Sequence, residues 1–424
     1  MSSIIYFGEA KNAMSLRKAW CVCFLASLFF LYEFIQLSSF DALNPFLTAH
    51  FHLSASQLSL LGSSFLWGNV IFLLPAGMLL DKFGPRKVIL ISLGVAIVGV
   101  GIFAVSHSFV LAFLSRLLTG IGNAFCFVAL VVLVSRWFPP YRQAFAMGAL
   151  VNMAFLGGMF SHTPLVWLLA HCSWQVLMLS NMLLGLMIWA LIFLFLMDYP
   201  PCRASEFINT PSSEIGFWQA FAKIFSRQNI FAGLYTACLN LPMMVLCALW
   251  GMQYLKIVHQ LSIYQASNVV SMIFLGSMIG CPLAGWMSDR MGLRKPIMLL
   301  GAISALLLSL PLCMAHVSLS PAILALMFFG LGATTSTQVL SYPMIAESNS
   351  HQYAGRACSI ASMIIMGGGM LAQMLFGYLL DWQHGQDIVP VLSDYQFAMK
   401  LFPCSILLAW MSMLMLRETF CKNQ

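Results

Sequence analysis

The chain has 424 residues, 61% of them hydrophobic and 8% charged, with a formal net charge of +7 and a mean hydropathy of +0.89. Soluble domains carry about 25% charged residues, so this inventory cannot cover a water-facing surface and excludes an ordinary soluble enzyme. The apolar residues lie in many runs close to the roughly 20 residues that a helix needs to cross about 30 Å of hydrocarbon. The runs are continuous and do not alternate, which implies helices and not barrel strands.

In chain order the runs predict spans at 18–40, 58–80, 88–107, 109–134, 143–168, 175–197, 228–255, 265–287, 296–315, 322–346, 356–380 and 395–417. The first is too long for a cleavable signal, lacks a small-residue cleavage site and leads straight into further spans. With both termini placed in the cytoplasm, 17 of the 20 Lys and Arg fall in inner segments, Lys256 and Lys400 fall outside, and Arg116 lies within a span. That asymmetry sets the orientation and accounts for the excess positive charge, which leaves no reason to expect a nucleic-acid partner.

Two ionisable residues lie well inside these spans, Glu33 in the first and Arg116 in the fourth. Charges in hydrocarbon are costly and mark function. Each sits seven residues from the outer end of its predicted span, about 10 Å deep at 1.5 Å per residue, so a salt bridge between them is expected. Polar residues also recur at helical spacing. Gln36 follows Glu33 by one turn, and Asn123 shares a face with Arg116. Tyr235, Asn240 and Gln253 mark the seventh span, while Thr334, Gln338, Ser341 and Tyr342 form a stripe on the tenth. The 12 cysteines are scattered mostly through the spans, CxC at Cys21 and Cys23 included, and read as packing residues. His50, His52, His107, His171, His259, His316 and His384 fall in outer loops and read as ordinary loop composition.

Residues 77–87, GMLLDKFGPRK, recur as 285–295, GWMSDRMGLRK. Gly77, Asp81, Gly84, Arg86 and Lys87 reappear at an offset of 208 as Gly285, Asp289, Gly292, Arg294 and Lys295, with Lys82 matched by Arg290. Gly68 and Gly276 keep the same offset. The second half therefore repeats the first, in the parallel-repeat plan of a two-bundle transporter. The expected division is an N-terminal six-helix bundle at 1–197, a linker at 198–227 and a C-terminal bundle at 228–424. Within the linker, Phe217, Trp218, Phe221, Ile224 and Phe225 share one helical face, which predicts an interfacial helix over 216–228.

The duplicated loop resembles the signature of the major facilitator superfamily, and RLLTGIG, with Arg116, Gly120 and Gly122, resembles a second family element. The glycine-rich run ending in Gly-Pro that marks drug/proton antiporters is missing: Gly148, Gly157 and Gly158 are followed by a distant Pro164. Residues 30–47 and the stretch ESNSHQYAGRA are similar to bacterial nutrient-uptake members and their dipeptide-transporting lysosomal relatives. The resemblance implies an all-α membrane protein of twelve transmembrane helices in the major facilitator fold, set in a bacterial inner membrane. It implies a monomer in the lipid bilayer that imports a small polar solute (amino acid, small peptide or organic anion) with protons. Export of a siderophore-like metabolite or drug is the alternative.

The resemblance also places helices 1, 4, 7 and 10 along the solute path, so the polar residues above become cavity-lining candidates. It makes Glu33 and Arg116 similar to the proton-coupling pair of several symporters, with protonation of Glu33 freeing Arg116 for an anionic group of the solute. In the loops, Asp81 is expected to pair with a basic residue or a helix N-terminus when the cytoplasmic side closes. Gly77 is expected to permit close helix packing, Gly84 to make the turn, and Arg86 and Lys87 to sit at the anionic leaflet. No phosphate loop, zinc pattern or nucleophile elbow is present in the sequence, so no enzyme activity, cofactor or metal is expected.

Overall fold

A computed structural model describes residues 2–199, 225–313, 319–349, 351–382 and 390–420; the side chains of residues 2–15, 74, 81, 140, 141, 144 and 351–356 lie outside that description. A backbone in hydrocarbon must satisfy its own N–H and C=O groups, so the apolar runs wind into helices. Eleven helices among the described residues are long and apolar enough to cross a membrane. With Ala55–Phe83, 29 residues long, they make the expected twelve. They are labelled α1 (Leu16–Phe51), α2 (Ala55–Phe83), α3 (Pro85–Ala104), α4 (Phe109–Trp137), α5 (Phe145–Leu169), α6 (Trp174–Phe195), α7 (Arg227–Val258), α8 (Ile263–Met291), α9 (Lys295–Leu312), α10 (Pro321–Glu347), α11 (Ala357–Trp382) and α12 (Leu392–Leu414). Short connections make neighbours antiparallel, so the two motif loops lie at one end, and the starts of α2 and α8 lie at the far end.

The main difference from the sequence reading is the first span. The predicted span ends at 40, yet the helix carries Pro45, a residue that disfavours helix interiors, inside it and runs to Phe51. Packing on one face, with Ala42, Leu43 and Leu47 fully buried, overrides the local breaker. Asp41 is thereby brought inside the protein. Most of the linker, including most of the expected interfacial helix, lies outside the described residues.

Several spans are not wound uniformly. In α7 a π-helical stretch runs Met243–Trp250, and in α10 a 3-10 stretch runs Ser336–Leu340. Such stretches often mark functional positions, because they leave backbone groups free for other partners. The helix of α5 breaks between Phe160 and Thr163, ahead of Pro164, whose ring disfavours helical geometry in the residue before it.

The halves repeat in packing as they do in sequence. A Cβ on Gly68 would overlap the Leu117 carbonyl, and one on Gly120 the Phe65 carbonyl, so α2 and α4 touch backbone to backbone. Gly276 and Gly332 meet the Phe329 and Ile273 carbonyls in the same way, which joins α8 to α10. Small residues at a crossing are how membrane helices gain contact where the hydrophobic effect offers none. The two bundles meet along α1–α7, α2–α11 and α5–α8.

Candidate functional site

Arg116 projects from the first part of α4 and is 3% exposed. Its Nη1 donates to the Gln36 carbonyl at 3.0 Å, while the guanidinium lies over the Phe40 ring at 3.8 Å and near the Phe65 ring at 4.9 Å. Its Nε has no hydrogen-bond partner, and the Gln36 amide nitrogen beside it has none either. Gln36, Phe40, Val100, Phe103, Arg116, Thr119 and Met178 line a narrow crevice there. A buried cation with unspent donors facing a crevice is suited to a carboxylate or another anion.

Glu33 does not complete the expected salt bridge. Its carboxylate accepts from Asn69 Nδ2 at 3.2 Å and from the Cys126 thiol at 3.0 Å. The correction follows from the length of α1. Glu33 stands mid-helix, 18 residues before Phe51, so it is not near an outer end at the depth of Arg116. Arg116 instead reaches α1 one turn further along, at Gln36 and Phe40. The acid and the base are both buried, but in separate polar settings.

The other polar candidates divide. Asn123 is 1% exposed with neither side-chain polar atom bonded, so it keeps its full capacity for a ligand. Gln338 Nε2 donates to Asn240 Oδ1 at 3.1 Å, joining α10 to α7, while its Oε1 has no partner. Ser341 bonds Thr236, Tyr342 meets Ser362 at 3.2 Å, and Gln253 is half-buried. Tyr235 and Thr334 bond to backbone carbonyls. The Tyr235 hydroxyl donates to the Met298 carbonyl at 2.9 Å, and Thr334 bonds back to its own helix at the Gly330 carbonyl, 2.8 Å away.

At the motif-loop end, Gly84 and Gly292 have φ of +80° and +66°, the backbone region in which glycine is needed for the turn. Close packing at Gly77 and Gly285 is not found among the described residues, because a Cβ on either would have none of them within 4 Å. The Asp81 side chain lies outside the described residues. In the second loop, Arg294 is not a surface charge. It is 7% exposed and binds Asp289 and Glu347, each at 2.7 Å. Lys87 and Arg290 are exposed, and Arg290 lies over the Trp286 ring at 5.3 Å.

A carboxylate also caps the helix after each motif loop. Asp198 accepts from the Arg86 backbone N–H at 2.7 Å, and Glu418 accepts from those of Arg294 and Lys295 at 2.9 and 2.8 Å. Each carboxylate comes from the segment just beyond the last helix of its own bundle. It satisfies orphan donors at a positive helix end.

The far end is closed by hydrogen bonds between the bundles. Asn44 donates to the Leu249 carbonyl at 2.8 Å, Trp250 Nε1 to Ser59 at 3.0 Å, and Thr163 to Asn268 at 2.7 Å. The backbone N–H groups of Ala55 and Ser56 donate to Asp381 at 3.2 and 2.8 Å. At the centre of this closure, Asp41 Oδ2 lies 3.3 Å from His162 Nε2 with both side chains fully buried. A first span that ends at residue 40 leaves Asp41 outside it, which is why the sequence does not single out this acid. His162 lies inside a predicted span, and its imidazole is the one signal in the sequence that points there.

The family model of the Major Facilitator Superfamily matches residues 22–373 and 253–416. The probable sulfoacetate transporter SauU of Cupriavidus necator is 23% identical over 389 residues, which cover 86% of this chain and 88% of that protein. The hexuronate transporter of Bacillus subtilis is 27% identical over 269 residues, 61% of each chain. A solved D-xylose-proton symporter superposes with a TM-score of 0.73 at 15% identity, covering 96% of this chain and all of that one, and shows the shared fold. These names lend nothing to the dipeptide resemblance or to the export alternative.

Proposed function

We infer a transport function from one premise: the chain belongs to the Major Facilitator Superfamily. It is a multi-pass membrane transporter, and our reading of its task is proton-coupled uptake of a small organic anion by alternating access. The observation that carries this is Arg116, a buried guanidinium with no carboxylate paired to it among the described residues, lining a crevice with Gln36 and Phe40. Sulfoacetate and hexuronates, the solutes named for two relatives, are anions of the kind that such a site would bind. In this reading the motif loops face the cytoplasm, the closed far end faces outward, and Glu33 is a proton carrier in a polar setting separate from the anion site. Arg116 takes the carboxylate or sulfonate, while Gln36 and Asn123 supply neutral hydrogen bonds to the rest of the solute.

The test is uptake into proteoliposomes under an imposed pH gradient, with sulfoacetate, hexuronates and aldonates compared against dipeptides and neutral sugars. An acidic exterior is expected to drive accumulation of an anion from the first group. Arg116→Gln removes charge-assisted hydrogen bonds worth about 1.5 to 3 kcal/mol, so apparent affinity should fall about ten- to a hundredfold. Glu33→Gln should abolish gradient-driven accumulation but spare exchange of preloaded solute. Equal uptake of anions and their neutral analogues by the wild type would overturn the reading.

A further inference from the structure

We propose that Asp41 and His162 form a proton-binding latch, so that the far end of the solute path closes only with a proton held between them. This rests on the transport reading and adds to it a site separate from Glu33.

The hydrogen-bond partners of the imidazole fix where its hydrogen sits. His162 Nδ1 lies 2.8 Å from the Gly158 carbonyl. A carbonyl oxygen only accepts, so Nδ1 bears a hydrogen. A neutral imidazole with its hydrogen on Nδ1 presents a bare lone pair at Nε2, and that nitrogen lies 3.3 Å from Asp41 Oδ2, an ion-pair distance at which no aligned hydrogen bond is formed. Without a further proton, the lone pair would oppose a carboxylate at a fully buried contact. The contact therefore holds one proton, on the imidazole or on the carboxyl group.

The pair also ties the bundles together. Asp41 is on α1, and His162 sits at the break in α5. Both oxygens of Asp41 lie 3.1 Å from the Met252 backbone nitrogen on α7, just beyond the π-helical stretch. The titratable groups within electrostatic reach of Asp41 are the Cys247 thiol on α7 and the Tyr395 hydroxyl on α12. Neither type ordinarily carries charge between about pH 5 and 8. From α8 the neighbour of His162 is the Phe274 ring, 5.6 Å away. Loss of the proton would leave a buried carboxylate against a lone pair, a desolvation cost that is relieved when the bundles part and water enters. A proton taken from the acidic side would restore the closed end.

Hydrogen exchange of the full chain in lipid nanodiscs, without solute, tests this. Rates would be measured at about pH 5.5 and about pH 8, on either side of the usual imidazole range, and corrected for the intrinsic pH dependence. In the wild type, segments 44–54 and 249–261 are expected to exchange at least about tenfold faster at the higher pH, because an opening that releases one proton becomes about tenfold easier for each unit that the pH rises above the range in which the opened pair itself titrates. Asp41→Asn should exchange slowly at both, because its amide donates to Nε2 and its oxygen still accepts from Met252. His162→Gln should likewise lose the pH response, and it serves if the first variant fails to fold. A wild type indifferent to pH, or an Asp41→Asn protein that follows the wild-type profile, overturns the latch. Because no solute is used, that failure would leave the anion-uptake assay to succeed or fail on its own.

Discussion

Burying a guanidinium without a counter-ion costs several kcal/mol even after the protein relaxes. Arg116 offsets part of that with one carbonyl and two aromatic faces, since cation–π contacts reach about 2 kcal/mol when desolvated. The remaining cost is stored for a ligand. Arg116→Met should therefore raise the thermal stability of the solute-free protein, by about 1 to 3 kcal/mol, while abolishing uptake. A lower melting temperature in a thermal-shift measurement would mean that the arginine is a structural strut. The placement of charged side chains at residues 33 and 116 inside the membrane-spanning helices was legible in the sequence, because charged residues inside apolar runs stand out. Their failure to meet was not, since side-chain pairing depends on where α1 ends and how it is rotated against α4.

Between elements, close backbone approaches are made by glycines at the matching crossing of each half. Gly120 on α4 meets the Phe65 backbone of α2, and Gly332 on α10 meets Ile273 of α8. Gly120→Ala should destabilise by about 1 to 3 kcal/mol, the usual cost of overpacking, read as a fall in the melting temperature in detergent. Gly77→Ala should raise stability by about 0.5 to 1 kcal/mol, because alanine restricts the unfolded chain more than glycine does and, among the described residues, nothing lies within 4 Å of the added methyl. If that same variant slows transport, the space beside Gly77 is filled in the opposite conformation of the cycle. Gly68 and Gly276 could be marked from the sequence by their common offset, and Gly84 and Gly292 by the turn they make. The caps from Asp198 and Glu418 could not, because the two carboxylates differ in type and do not keep the 208-residue spacing.

For the whole molecule, the interbundle hydrogen bonds from Asn44–Leu249 to Ser56–Asp381 gather at one end. Our orientation puts that end outside, together with the exposed Cys172 between α5 and α6. A membrane-impermeant maleimide should then label Cys172 on intact cells, and Cys172→Ser should remove that signal. Labelling of Cys172 only after the membrane is permeabilised would reverse the orientation. The sequence by itself determined the helical membrane architecture, the count of spans and the two-fold repeat. Hydropathy, charge asymmetry and a duplicated loop are carried by composition and spacing along the chain. Only the tertiary structure decided that α1 passes through Pro45, that Glu33 and Arg116 stand apart, and that Asp41 meets His162. Those outcomes depend on packing against distant segments, which can override a local breaker and bring residues 121 positions apart to 3.3 Å.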